Sequence, residues 1–226
     1  MSEVEPSTDS LTRRAYMQLR GDIIEGTLAP GAKLKIQDLT KTYSTGATPI
    51  REALSHLASD RLVNRIEGRG FRVSHVSKEE FLDLLRVRLW FEGKALAESV
   101  VAADPEWEEL VLTTNFRLGQ SSRSTRADRF ESNIDWERKH KRFHTALIGG
   151  CGSAITIRIC DQLYDQNIRY RNLAGAFAYP GRNVGEEHNA IAMAALEGDA
   201  EKAVRLLHEH YTATADYVVD RLPSAS

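Results

Sequence analysis

The run Thr48-Pro49-Ile50-Arg51-Glu52-Ala53-Leu54, followed by Gly68-Arg69-Gly70-Phe71-Arg72-Val73, restricts what this chain can fold into more than any other feature. The Thr48 hydroxyl can cap a helix by accepting from a free backbone N–H, and Pro49 suits a first turn, where no N–H is needed. Arg51 then projects from that turn, where a recognition helix meets base edges in the major groove. The glycines form a tight turn between Leu62–Ile66 and Phe71–Val73, a β-hairpin with a basic tip. Upstream, apolar periodicity predicts a helix over Leu11–Glu25 stopped by Gly26, a turn at Ala29-Pro30-Gly31, and a short helix over Ile36–Tyr43. Ser44-Thr45-Gly46-Ala47 supplies the tight turn into a second short helix over Thr48–Ser59. These elements predict a winged helix-turn-helix over residues 9–76, with double-stranded DNA as its partner.

Charge supports the division. Residues 10–76 carry eleven Lys/Arg against six Asp/Glu, while residues 77–226 carry nineteen against twenty-three. A basic head on an acidic remainder suits phosphate binding by one part only, although ordinary fluctuation in surface charge gives similar counts. Cys151 and Cys160 make no disulfide framework and read as reduced thiols of a cytoplasmic protein. No apolar run approaches the ~18 residues a membrane-spanning helix needs. Met1–Asp9 is polar and acidic, with no packing pattern, and is expected to be disordered.

After the hairpin, Ser74-His75-Val76 reads as a linker, and Ser77 to Glu80 has the form of a capping box. Helices are predicted over Phe81–Ala102, from Asp104-Pro105 to Leu118, over Phe130–Ile148, Ala154–Leu173, Val184–Leu196 and Asp199–Asp220. Loops are expected at Ser121–Asp128 and Gly175–Arg182. No later segment alternates with period two, so residues 78–221 should form an all-α bundle and the fold class is mainly α.

Four histidines in the bundle stand out. His140 and His144 are spaced i, i+4 and share a helix face, and His188 and His210 fall on two further helices. Imidazoles from facing helices can converge on one interior divalent ion, zinc or nickel by donor type. They can equally be surface or satisfied core residues. His208 lies about 160° round the helix from His210 and should face elsewhere. Arg88 and Glu92, one turn apart in apolar surroundings, are either an inward arginine that grips a ligand carboxylate or an ion pair at the surface. Tyr164, Asn167 and Arg171 share one face of their helix and line the same cavity or face solvent.

Taken together, Gly26-x-Leu28, Pro30-Gly31, Thr48–Leu54 and Gly68–Phe71 resemble the winged-helix head of GntR-type bacterial transcription regulators. The body resembles their FadR-type (FCD) ligand-binding domain through Arg88–Glu92, Phe143-His144, Glu187-His188-x-x-Ile191, Gly198-Asp199-x-x-x-Ala203 and His210. The likeness runs from Leu11 to about Tyr217. It implies a metal held by three histidines, here His144, His188 and His210, and by an aspartate one turn earlier. That position holds His140, which implies a neutral four-histidine site or the loss of the fourth ligand. Many relatives also carry a Ser-Arg pair where this chain has Gly46-Ala47, which shifts base reading to Thr48, Arg51 and the wing residues Arg69 and Gly70. The stretch from Trp136 to Arg171 resembles the CsiR branch, whose members repress genes for catabolism of glutarate and related acids.

The resulting expectation is a homodimeric repressor, with Arg51 reading bases while Lys33, Lys35, Arg65 and Arg69 contact phosphates. A small dicarboxylate effector would sit between the metal and Arg88, Tyr164, Asn167 or Arg171. The rival reading is a metal-dependent hydrolase using the histidine cluster. Against it, Glu137 and Glu187 are merely near the histidines in sequence, and an enzyme needs no basic winged helix.

Overall fold

The computed structural model describes residues 8–174 and 182–222, and the chain divides into two compact units after Val76. The first unit orders its elements as α1 (Thr8–Glu25), β1 (Lys33–Leu34), α2 (Ile36–Thr42), α3 (Ala47–Ser59), β2 (Val63–Ile66) and β3 (Gly70–Val73). The strands form an antiparallel sheet in the order β1-β3-β2, with Lys33 opposite Arg72, Asn64 opposite Arg72 and Arg65 opposite Phe71. Helical residues Ala15, Leu19, Ile23, Ile50, Leu54 and Leu57 bury their side chains with Leu34, Phe71 and Val73 of the sheet. This is the expected winged helix-turn-helix, with one added strand: Lys33–Leu34 is too short to show alternation.

The helix-turn-helix joint differs from the sequence reading. α3 starts at Ala47, with Gly46 at the cap position and no side-chain cap bond, so Thr48 is not the cap. Pro49 still fits, because the first three helical N–H groups need no intrahelical partner. Gly46 is extended (φ −74°), and Ser44 takes the left-handed conformation instead (φ 49°). The left-handed glycine that matters is Gly31 (φ 76°), where a Cβ would lie 2.7 Å from Cε1 of His75. Gly31 N donates to Val73 O at 3.0 Å, which ties this turn to the base of the wing.

The second unit contains α4 (Lys78–Ala102), α5 (Pro105–Gly119), α6 (Ile134–Leu147), α7 (Ala154–Ala174), α8 (Val184–Leu196) and α9 (Ala200–Val219). Short polar side chains start every one of them. Ser77, Asp104, Asn133, Asn183 and Asp199 each accept from a first-turn N–H, and Ser153 Oγ accepts from Thr156 N in α7. Such caps contribute about 1 kcal/mol each. The capping box at Ser77 is half made, because Glu80 turns its carboxylate to the Tyr170 hydroxyl at 2.7 Å. α6 begins at Ile134 rather than Phe130. The Ser124 hydroxyl accepts from Glu131 N at 2.9 Å, and a bridge joins Ser124 to Ser132, so this stretch stays outside the helix until Asn133 caps it. The expected loop at 175–181 and most of Met1–Asp9 lie outside the described residues.

α4 packs on α7 and α9, α9 on α8, and α5 on α6 and α8. Phe81, Leu96, Phe143, Leu147, Ile191 and Leu207 are fully buried. At the α4–α9 crossing a Cβ on Gly93 would lie 2.6 Å from His208 Nε2, which meets Leu89 O at 3.0 Å. His208 is thus committed to α4, as its helical phase implied.

Gly31→Ala and Gly68→Ala both force a left-handed residue with a Cβ, costing about 1–2 kcal/mol. Only Gly31 also meets a ring, since Gly68 faces open space. Hydrogen-exchange protection of residues 8–76 in the full-length protein should therefore fall more for Gly31→Ala than for Gly68→Ala.

Candidate metal centre and DNA-reading face

His140 and His144 on α6, His188 on α8 and His210 on α9 converge inside the second unit, each offering a nitrogen within 4.8 Å of the others. All four are between 2% and 6% exposed. The helical spacing that put His140 and His144 on one face also put Trp136 there, one turn earlier. Its ring stacks on His140 at 4.5 Å between centroids.

The hydrogen bonds assign the protons. Tyr211 donates its hydroxyl to Glu92, so its oxygen accepts from His144 Nδ1 at 3.0 Å and His144 Nε2 keeps its lone pair. His140 Nε2, 3.1 Å from His144 Nε2, is then the donor of that pair. His140 Nδ1 accepts from Tyr164 at 2.6 Å and from Arg171 at 3.1 Å, consistent with that tautomer. On α9, His210 Nδ1 donates to Glu187 at 2.7 Å, which leaves its Nε2 lone pair available. His188 Nε2 is buried without a hydrogen-bond partner. A buried, unpaired imidazole nitrogen costs about 1–3 kcal/mol, and it stands among three others of the same donor type. Carboxylate- or tyrosine-backed imidazoles of this kind orient ligands for a metal.

Electrostatics agree. Burial, and then the neighbouring histidines, push His140 and His144 well below the usual imidazole range. His188 is held low by burial and by His210. Burial also lowers His210, against the pull of Glu187. Burial opposes ionisation of Glu187, but hydrogen bonds from His210 and Arg182 bring its carboxyl down to about 2. The four imidazoles are therefore neutral at pH 7, the form a divalent ion needs.

Arg88 does not stand free for a ligand. It is bidentate to Glu92 at 2.7 and 3.2 Å, both side chains are buried, and its guanidinium lies 4.2 Å from the centre of the Tyr211 ring. The pair predicted from spacing exists, in the core rather than at the surface. Arg171 pairs with Glu137, and Arg182 with Glu187. Glu187 is thus more than a sequence neighbour: it supports His210 from one helix away. Arg88, Tyr164, Asn167 and Arg171 do line one cavity with His140 and His210, but its volume is about 20 Å³, room for one water. A second cavity, about 200 Å³, is lined among the described residues by Arg123, Trp136, Asn183 and His188, with neighbours from α5 and α8. Sequence reading missed Tyr211 and Arg123. Tyr211 directly follows His210, and Arg123 sits in a polar loop with no periodic signal.

On the first unit, Thr48, Arg51 and Ser55 fall at i, i+3 and i+7 of α3 and are exposed. Lys33, Lys35, Arg65, Arg69 and Gly70 are exposed as well, and none of these cations has an ion pair among the described residues. Arg72, by contrast, is tied to Gly31 O at 2.9 Å. Exposed, uncompensated cations beside a helix face are what a phosphate backbone requires.

Residues 11–73 match the bacterial regulatory proteins of the gntR family, and residues 83–213 match the FCD domain. This chain is a GntR-family transcriptional regulator with an FCD ligand-binding domain. It is 39% identical over 209 residues to the uncharacterized HTH-type transcriptional regulator BphR of Paraburkholderia xenovorans (strain LB400), covering 92% of this chain and 85% of that one. It is 33% identical over 205 residues to the HTH-type transcriptional repressor GlaR of Escherichia coli (strain K12), covering 86% and 90%. The fold is similar to that of E. coli McbR/YncC, with a TM-score of 0.75 at 22% identity over 94% of this chain and 98% of that one. The relatives and domains indicate a regulator rather than the rival metal-dependent hydrolase. No helix among the described residues is long and apolar enough to cross a membrane.

The neutral cluster has a pH signature. As pH falls through the ordinary histidine value of 6.5, the unfolded chain takes up protons that the buried imidazoles refuse. Stability is then lost by up to about 1.4 kcal/mol per pH unit for each histidine held neutral. Urea midpoints of chelator-treated protein should fall steeply between pH 7.5 and 5.5. A flat profile would mean the imidazoles are solvated.

Proposed function

We propose that this regulator is a homodimeric repressor, released from operator DNA by a small carboxylate bound beside a divalent ion in the helical unit. The observation that carries this reading is the buried quartet of neutral histidines with an unpartnered nitrogen at His188. His188 and His210 would hold the ion through Nε2, and His144 would join them by giving up the hydrogen bond its Nε2 accepts from His140; a nitrogen-only donor set suits zinc or nickel. His140 joins them only in its other tautomer, with Nδ1–H donated to Tyr164. When bound, the ion supplies positive charge in an apolar interior, where it attracts an anion far more strongly than in water.

The run from Trp136 to Arg171, with its likeness to the CsiR branch, supports a short dicarboxylate such as glutarate, and the repressor named among the relatives supports repression. Trp90 and Val101 share an exposed face of α4, and Leu112 and Phe116 lie one turn apart on α5, exposed as well. Such apolar surface supports a second copy, whose two-fold axis would match a pseudo-palindromic operator in the cytoplasm. Arg51 reads bases in this scheme with Thr48 and Gly70, while Lys33, Lys35, Arg65 and Arg69 neutralise phosphates. The effector acts by binding the DNA-incompetent state more tightly, the only way a ligand shifts such a balance.

Two experiments test this reading. On an operator recovered by selection from genomic fragments, Arg51→Ala should cost about 1–3 kcal/mol of specific binding, and Arg69→Ala should lower the salt slope by about one. Unchanged gel-shift titrations would remove both roles. For the metal, zinc titration against a competing chelator should show one tight site per chain, and Glu187→Gln should weaken it about 10–100-fold. Zinc uptake that ignores Glu187 would sink the assignment.

A further inference from the structure

Helix α1 is joined to α3 along one flank, and the joint fixes which way its cations face. The Thr12 hydroxyl donates to Glu52 at 2.7 Å, and the Tyr16 hydroxyl donates to Asp60 at 2.7 Å. The Tyr16 ring also meets His56 edge-on, with 6.4 Å between centroids. Thr12 and Tyr16 are one turn apart, as are Glu52, His56 and Asp60, so the two helices run side by side in the same direction. The carboxylates on this flank of α3 are held by hydroxyls of α1.

Each helix turns by about 100° per residue, which sorts its positions into faces. Seen from the N-terminus and moving clockwise, α3 presents the exposed Thr48, Arg51 and Ser55, then Glu52 and His56, then the buried Ile50, Ala53 and Leu57. On α1 the same rotation passes the buried Ala15, Leu19 and Ile23, then Thr12 and Tyr16, then Arg13. Two parallel helices with touching flanks must then turn Leu19 and Leu57 to one side of the pair, and Arg13 and Arg51 to the other. Arg14 follows about 100° further round, on the flank of α1 that faces away from α3. Both arginines are exposed, and neither has an ion pair among the described residues. Arg13 is an open cation on the side of Thr48 and Arg51, and Arg14 an open cation turned off it.

We propose that Arg13 contacts the phosphate backbone at the edge of the groove that α3 enters, so that the DNA-binding surface extends from α3 and the wing onto α1. A guanidinium matches a phosphate by charge and by its forked donors, whichever bases lie inside the groove. The contact adds grip without adding sequence preference. Thr12 and Tyr16 hold the two helices in the register that brings it there. This rests on α3 being the reading helix.

Gel-shift titrations of the full-length protein at several salt concentrations, on the selected operator and on an unrelated duplex, decide the matter. Arg13→Gln and Arg14→Gln remove the same charge from neighbouring exposed positions, and Arg13→Lys keeps it. Melting temperatures serve to confirm that each variant is folded. In Arg13→Gln the slope of log affinity against log salt should fall by about one, the loss of one phosphate contact. Operator and unrelated duplex should weaken alike, leaving their affinity ratio unchanged. Arg13→Lys should keep the slope, and Arg14→Gln should match wild type. A slope unchanged in Arg13→Gln, lowered equally in Arg14→Gln, or lowered on the operator alone overturns the contact and leaves α3 as the reading helix. Operator binding that also survives Arg51→Ala overturns both.

Discussion

The helical unit is organised around burying polar groups and pairing nearly all of them, with His188 Nε2 left open. Four imidazoles and an Arg–Glu pair sit within a few per cent of full burial. An uncompensated buried charge costs several kcal/mol, and breaking one partner of a buried pair costs about 3–5. The solution is a relay of single commitments: Arg88 to Glu92, Glu92 to Tyr211, Tyr211 to His144, His144 to His140, and His140 to Tyr164 and Arg171. Each link fixes the next proton, so the tautomers follow from one another. The relay draws on α4, α6, α7 and α9, which makes helix packing and ring orientation a single problem.

The two units spend their charges in opposite ways. In the helical unit, arginines near the histidines are matched with glutamates, with Arg123 as the exception. In the winged unit, the cations at the helix face and wing remain open to solvent. Matched charge holds a shape, while open charge waits for a polyanion. The division follows the count of charges along the chain, and the structure shows which individual residues carry it.

Most of the architecture was legible because it rests on local rules. Helix periodicity placed α8 to the residue, and Ser77 and Asp104-Pro105 marked the starts of α4 and α5. What failed was where two local rules compete or where the partner is distant. Thr48 is a good cap in isolation, yet α3 begins one residue earlier, and Ser44 rather than Gly46 adopts the strained turn. The i, i+4 histidines and the Arg88–Glu92 spacing were visible, whereas the burial of that pair and its link to Tyr211 span 119 residues and leave no local pattern. Arg123 was invisible for the same reason: its place depends on the folding of a polar loop against Trp136.

Glu80 and Tyr170 join the chemistry to the frame. Tyr170 neighbours Arg171 on α7, and its hydroxyl grips Glu80 in the opening turn of α4, four residues past the point where the winged unit ends. Tyr170 and Arg171 ride on one helix, so the opening turn of α4 and the wall of the smaller cavity are held by a single element.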